Sequence, residues 1–559
     1  MKRLLLPLAA ALLIAVAIGR IVITYPVFNQ TWDEPAHIAA GMQWLSRGSY
    51  SYEPLHPPLA RVMVALGPYL DGLRSAGYES VWLEGNAILY ARDSYYRNLA
   101  LARLGVLPFF IIGAVAVFLW TRRLFGNAAA LLGTLLFTSL PPILAHSGIA
   151  TTDAAVTGSL ALALYTATRW LEEPSVARGL GLGAAMAITV LSKLSALLFL
   201  PATLLVLVLC HRRASRDANE RSPARGSRLT AMRAVYLSTL LVVWAGYRFS
   251  IGPLVTEADV PLESRPAAHG AHGALYRAAY AASRAPVYPA PEFFQGLAMM
   301  HGKNQAGQKA YLLGQVRSDG WWYFFPVALA VKTPIPFLLF FGLGLAAALA
   351  MDRGTLRWRA IAPAAAAGAL LLVCVPSRIN IGLRHALAIY PLMAIMAGAG
   401  AATLWRWRRA GLLGPAAAVL LVGWQVTDGI RIHPDYLAYF NEVAGRNPER
   451  ILVDSDLDNG QDLQRLADTL RALGVNDIAL VYAGSATVAE HGLPRIRRLQ
   501  PHQPDTGWIA ASLWSLKLGS LNQPGHADFA WLEQHQPVAL VGRSIRLYRI
   551  PQVGANAVP

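Results

Sequence analysis

The sequence predicts an α-helical polytopic membrane protein of about eleven transmembrane helices, with interfacial helices on its outer face and a small C-terminal α/β domain. Three observations point there: composition, repeated apolar runs, and the side on which basic residues fall. Of 559 residues, 55% are hydrophobic and 14% charged, where a soluble chain carries about a quarter charged. Apolar runs lie near 4–23, 99–120, 128–146, 153–171, 177–192, 193–210, 234–250, 326–350, 360–376, 385–403 and 412–430, each about long enough to cross a ~30 Å hydrocarbon core. The pair 177–210 reads as two short helices broken near Ser192-Lys193.

Alternating the loops from a cytoplasmic N-terminus puts five basic sets inside: Arg122-Arg123, Arg169 with Arg178, the run from Arg212 to Arg233, Arg353 to Arg359, and Arg406 to Arg409. That is the positive-inside pattern. It also accounts for the net charge of +17 and removes nucleic acid as a partner. The first run, Leu4 to Ile23, follows Lys2 and Arg3 as a signal peptide would. No small-residue cleavage site precedes the polar stretch, so it reads as a retained span. Cys210 and Cys374 both fall inside apolar runs and read as packed thiols.

The organisation is then a transmembrane domain, 1–430, with outer loops 24–98 and 251–325, and an extracytoplasmic α/β domain, 431–559. The first loop predicts helices over 34–46 and 58–71 whose apolar faces suit a membrane surface. In the second, Trp321, Trp322 and Tyr323 read as an interfacial aromatic belt. In the tail, Arg450 to Asp454 and Asp477 to Tyr482 predict strands, Gly460 to Leu473 an amphipathic helix, and Val538 to Val541 with Ser544 to Ile550 a hairpin.

The candidate chemistry starts at Asp33 and Glu34, where the chain leaves the first span. Asp before Glu34-Pro35-Ala36 is a good helix N-cap. An exposed cap, however, needs no second acid, no Trp32 and no His56 and Arg61 in the same loop. Charge at a membrane boundary is costly unless it is solvated, paired or used. His56-Pro57-Pro58 is also a rigid turn into a helix starting near Pro58. Asp153 would cap its helix, and Lys193 and Lys332 would snorkel. Arg378 and Arg384 sit outside, against the positive-inside bias, which favours a local function. The run from Asp454 to Gly460 alternates acids as a calcium loop does, but Leu466 or Ala467 stands where an EF-hand needs Glu. It reads as a strand-to-helix turn with Asp458 or Asn459 as cap.

These segments resemble the GT-C glycosyltransferases. Trp32-Asp33-Glu34 and His56-Pro57-Pro58-Leu59 are similar to the first outer loop of the protein O-mannosyltransferase-like and aminoarabinose-transferase-like enzymes. Thr152-Asp153-Ala154 and Leu191-Ser192-Lys193-Leu194-Ser195-Ala196 are similar to two further marks of that superfamily. Val331-Lys332-Thr333-Pro334, Leu383-Arg384-His385-Ala386 with Tyr390-Pro391, and Val453-Asp454-Ser455-Asp456-Leu457-Asp458 with Gly460-Gln461-Asp462-Leu463 resemble a bacterial, phospholipid-carrier-dependent branch. Asn459 stands where that branch often has Trp.

The resemblance implies an inverting glycosyltransferase that moves a sugar from a polyprenyl-phosphate carrier to a protein, lipid or glycan acceptor on the outer face. It implies a base, Asp33, with Glu34 orienting the acceptor or tuning its neighbour, since two close carboxylates do not both hold charge cheaply. Lys193, Arg384, Arg61 and His385 would meet the leaving phosphate, with Asp153, His56, Lys332 and Tyr390 in support. No cofactor, metal or nucleotide sugar is expected, there being no Gly-rich phosphate loop. A composition rich in Ala, Leu, Arg and Gly implies a bacterial inner membrane and undecaprenyl phosphate as carrier. The rival reading is a transporter or flippase for a lipid-linked or anionic substrate. Against it, no internal repeat is visible and the charges gather at one face.

Overall fold

The computed structural model describes residues 2–217, 225–254, 287–351, 354–407, 411–519 and 528–551. Residues 255–286 of the second outer loop and parts of three basic loops (within Arg212–Arg233, Arg353–Arg359 and Arg406–Arg409) lie outside the described residues. The protein is a helical membrane bundle with a small sheet region at its C-terminal end.

Every predicted span falls on helix. Among the described residues seven helices are long and apolar enough to cross a membrane, or nine if each of two bent pairs is one span. The remaining two are Val176–Ser192, which is short, and Asp153–Glu172. Buried Asp153, Thr157 and Ser159 lower the latter's apolarity. Both bends have a chemical cause. Pro141-Pro142 follows a 62° bend between Asn127–Thr138 and Pro141–Ser147, and Pro334 a 111° bend between Phe324–Lys332 and Ile335–Leu349, because proline cannot continue the preceding helix. The second bend frees carbonyls that must be satisfied inside a membrane protein. Asn441 does this: its side-chain amide donates to Ala330 O and Thr333 O, both at 2.7 Å, and its backbone N–H to Val331 O at 2.8 Å. The break expected near Lys193 is present. One helix ends at Ser192, Lys193 is extended, and the next helix starts at Ala196.

The two predicted interfacial helices are Glu34–Arg47 and Pro58–Leu70. They cross in contact, since a Cβ on Gly41 would lie 1.9 Å from Arg61 O. Ile38, Met42, Val64, Leu99 and Val106 form a separate apolar core beneath them. Cys210 and Cys374 are free and buried in the main core. Trp322 is exposed, but Trp321 is buried and its N–H donates to Asn380 Oδ1, so the expected belt is one residue shorter.

The tail holds a five-stranded sheet ordered Arg495–Arg498, Asp477–Val481, Gly507–Ser512, Ile545–Ile550, Ala539–Val541. The first two pairings are parallel and the last two antiparallel, the end forming the predicted hairpin. Leu463–Ala472 is the amphipathic helix, its Leu463, Leu466 and Leu470 buried on the sheet. The strand expected at Arg450 to Asp454 does not form: 451–453 pair with no strand, and two short 3-10 turns, Pro448–Arg450 and Asp454–Asp456, flank them. The second turn makes hydrogen bonds to the membrane region. Lys332 Nζ donates to Asp456 O, Ser455 Oγ to Ile381 O, and Leu383 N to the Asp456 carboxylate. Gly382 accepts this approach because a Cβ there would lie 2.2 Å from Ser455 Oγ.

Candidate active site

Asp33 occupies the N-cap position of Glu34–Arg47 but makes no side-chain capping bond. Its Oδ2 is held by Arg384, and Oδ1 accepts no hydrogen bond among the described residues. Burial raises the Asp33 carboxyl, but the Arg384 and His37 charges outweigh it and leave the group below its ordinary value. Asp33 is therefore an ionised carboxylate with one oxygen unspent, at 27% side-chain exposure.

Asp153 and Lys193 form a second ion pair, which joins the start of one helix to the break between two others. Asp153 is not a solvated cap, since its side chain is 2% exposed, and Lys193, at 11%, does not snorkel freely. The two pairs are close enough that Asp153 acts electrostatically on Asp33. His37, absent from the sequence reading, feels Arg61, Asp33, Asp153 and Arg384 together. Burial first, then Arg61, push His37 down to about 3, so it is neutral. Arg61 Nε donates to His37 Nδ1 at 3.0 Å, which leaves the ring proton on Nε2. The one-turn spacing from Asp33 to His37 was the available signal. His146, also missed, is buried with Nδ1 unpartnered among the described residues.

Other expected residues take different places. Glu34 takes no part in this cluster. It is fully buried, and both oxygens are spent on Arg103 Nε and Nη2 (2.9 Å each), Thr31 N (2.7 Å) and Ala150 N (2.8 Å). Arg61 is fully buried and bound to Glu53, Tyr50 and His37, so it orients the histidine instead of presenting a charge to phosphate. His56 stacks edge-on to His37 at 5.2 Å, its Nδ1 unpartnered among the described residues. His385 is half-buried beside Arg384 in the turn Leu383–Ile389 and close enough to Lys193, Asp153 and Lys303 for their charges to interact. Lys332 does not snorkel: it donates to Leu437 O and Asp456 O and lies 4.2 Å from the Phe440 ring centroid. Tyr390 OH meets Thr333 Oγ1 at 2.9 Å.

The acid-rich turn does not cap the next helix. Asp458 accepts from Gly460 N (3.2 Å) and from Trp514 N (2.8 Å), and the helix begins after Asp462 without a side-chain cap. Among the described residues no group of three or more His, Cys, Asp or Glu is placed to hold a metal ion. Burial pushes Asp454 and Asp458 up to about 7, outweighing Arg384 for the first and the backbone N–H bonds for the second. An unfolded Asp titrates near 3.9, so the folded state holds more protons between those values. The contribution of these two groups to stability is then expected to fall as pH rises from about 4 to about 7. Thermal unfolding in detergent across that range, wild type beside Asp458→Asn, checks it. The variant is expected to lose less stability, or gain more, than wild type as pH rises, and an unchanged slope would refute the assignment.

The comparisons with known proteins agree with this architecture. Residues 98–223, a minority of the chain, match a family model described as dolichyl-phosphate-mannose-protein mannosyltransferase. No curated protein matches by sequence. The structure of ArnT from Cupriavidus metallidurans bound to undecaprenyl phosphate is similar at TM-score 0.50 and 14% identity, covering 97% of this chain and 99% of that one. The S. cerevisiae protein O-mannosyltransferase Pmt1-Pmt2 complex bound to the sugar donor is similar at TM-score 0.52 and 12% identity, covering 77% of this chain and 90% of that one. The chain has the fold of the GT-C glycosyltransferase superfamily.

Proposed function

We propose that the protein is an inverting glycosyltransferase that takes a sugar from a polyprenyl-phosphate carrier and passes it to an acceptor hydroxyl at the outer membrane face. The observation that carries this is the pairing of Asp33 with Arg384 beside Asp153 with Lys193, at the junction of interfacial helix and spans. In the reaction the acceptor oxygen bonds to the anomeric carbon while the bond from that carbon to the phosphate oxygen breaks. The electron pair leaves with the lipid phosphate, and the acceptor proton passes to Asp33 Oδ1. Lys193 keeps unspent N–H donors for the phosphate anion, with Arg384 and His385 alongside. Neutral His37 offers an Nε2–H donor without adding charge. The fold supports the class of reaction; the carrier, the sidedness, the bacterial inner membrane and these roles are this proposal's.

Purified protein in lipid nanodiscs, offered a panel of polyprenyl-phosphate sugars, tests the reading by sugar release and transfer. Turnover of one donor, with inverted configuration in the product, is the expected result. Vesicle flux of an intact lipid-linked substrate without cleavage would favour the transporter instead.

A further inference from the structure

Five residues from four separate stretches close a ring of contacts at Asp33. Asp33 pairs with Arg384. Arg384 lies close enough to Asp454 for their charges to interact, and the Trp514 side chain lies near Asp454 as well. The Trp514 ring stacks toward Trp32, centroids 6.5 Å apart and planes 25° from parallel, and Trp32 is the chain neighbour of Asp33. Trp82 meets Trp32 edge-on, also at 6.5 Å, and is 37% exposed. Trp32, Trp514, Asp33, Arg384 and Asp454 are all partly open to solvent.

One half of this ring is aromatic and the other half is charged, which is the division found on a pyranose. A sugar ring shows C–H groups on its face and hydroxyls around its rim. Aromatic faces carry the negative end of a quadrupole, which favours packed C–H groups. Hydroxyls both donate and accept, so a carboxylate beside a guanidinium matches them. Two hydrogen-bonding positions are open for this: Asp33 Oδ1, and Arg384 Nε, which is buried without a partner among the described residues. Asp454 is held at φ +40°, a conformation a non-glycine residue rarely adopts, and such strain persists only where the surroundings enforce it. With its carboxyl pushed up to about 7, Asp454 is present near neutral pH in both a donating and an accepting form.

We propose that this ring is the acceptor subsite and that it takes a carbohydrate, a pyranose lying against Trp32 and Trp514 with its hydroxyl rim toward Asp454, Arg384 and Asp33. The inference rests on the transferase reading above and names its acceptor class. The acid-rich turn then serves the site by anchoring Trp514 at its backbone, through Asp458, with Asp454 beside the indole.

The test uses the full chain in nanodiscs with methyl pyranosides of mannose, glucose, galactose and N-acetylglucosamine, and their β-1,4 disaccharides, as probes. Saturation-transfer NMR without donor reads binding, and transfer kinetics with donor read the acceptor KM. Wild type is expected to bind at least one probe saturably. Trp514→Leu is expected to weaken that binding and raise the acceptor KM by about tenfold or more, and Trp514→Phe, which keeps a stacking face, to restore most of it. Trp508→Leu, whose indole packs against Arg549 instead, leaves both readouts unchanged. Saccharide binding lost in Trp514→Leu, without any transfer, would uphold the subsite and sink the transferase reading. No saturable binding of any probe, or equal binding by Trp514→Leu, would overturn the subsite, whatever the turnover.

Discussion

Asp33→Asn is expected to lower the rate of sugar transfer by at least about a hundredfold while the donor still binds, because general-base catalysis contributes about 10²–10⁴-fold. The substitution keeps size and shape. It removes the charge that Arg384 faces and the one carboxylate oxygen without a hydrogen bond among the described residues. Arg384 then loses its anionic partner, so donor affinity is expected to hold or rise. Single-turnover kinetics with a labelled donor separate the two effects. An unchanged rate would show that Asp33 only positions Arg384, and the base would have to be sought elsewhere in the ring.

Glu34→Ala is expected to act on a different property, stability. Glu34 and Arg103 are both fully buried and join the first interfacial helix to the span Tyr95–Phe125. Removing one member of a buried pair leaves the other charge uncompensated, at a cost of about 3–5 kcal/mol. The measurement is thermal unfolding in detergent, together with the yield of folded protein. Replacing both, with Glu34→Leu and Arg103→Met, removes the stranded charge and is expected to recover part of the loss. Recovery stays incomplete because three carbonyls that Arg103 serves (Tyr25, Phe28 and Asn29) and two amides that Glu34 serves (Thr31 and Ala150) lose their partners. Full recovery would mean that this backbone network contributes little. Two adjacent acids thus divide into one that stays partly exposed beside Arg384 and one that braces the fold.

That division was out of reach of the sequence. Hydropathy and turn chemistry located the interfacial helices to within a residue or two, and the helix break at Lys193, because those features are local. Asp33 stood out by its setting at a membrane boundary. What Asp33 pairs with was not legible, since Arg384 is 351 residues away along the chain. The same holds for Glu34 with Arg103, and for Trp514, which carries no motif and matters only by lying on Trp32. His37 was legible in part, one helical turn from Asp33, but an apolar helix face gives a histidine no distinguishing mark. The strand expected at Arg450 to Asp454 failed for a related reason. Its apolar residues Leu452 and Val453 are buried, but Leu452 in the main membrane core and Val453 in the core beside the sheet, and a β-like run of five residues cannot show that.

The Asp454–Asp462 stretch has a consequence in time. Ribosomes deliver the N-terminal part first, and domains generally fold as units while synthesis proceeds. Asp33 therefore emerges hundreds of residues before Arg384, and longer still before Asp454 and Trp514 supply the remaining wall. Until those last segments arrive, Lys332 lacks the Leu437 and Asp456 carbonyls that solvate its charge, and the acceptor ring is open on one side. A nascent chain would hold every span and no finished site, so the proposed transfer would wait for those last segments.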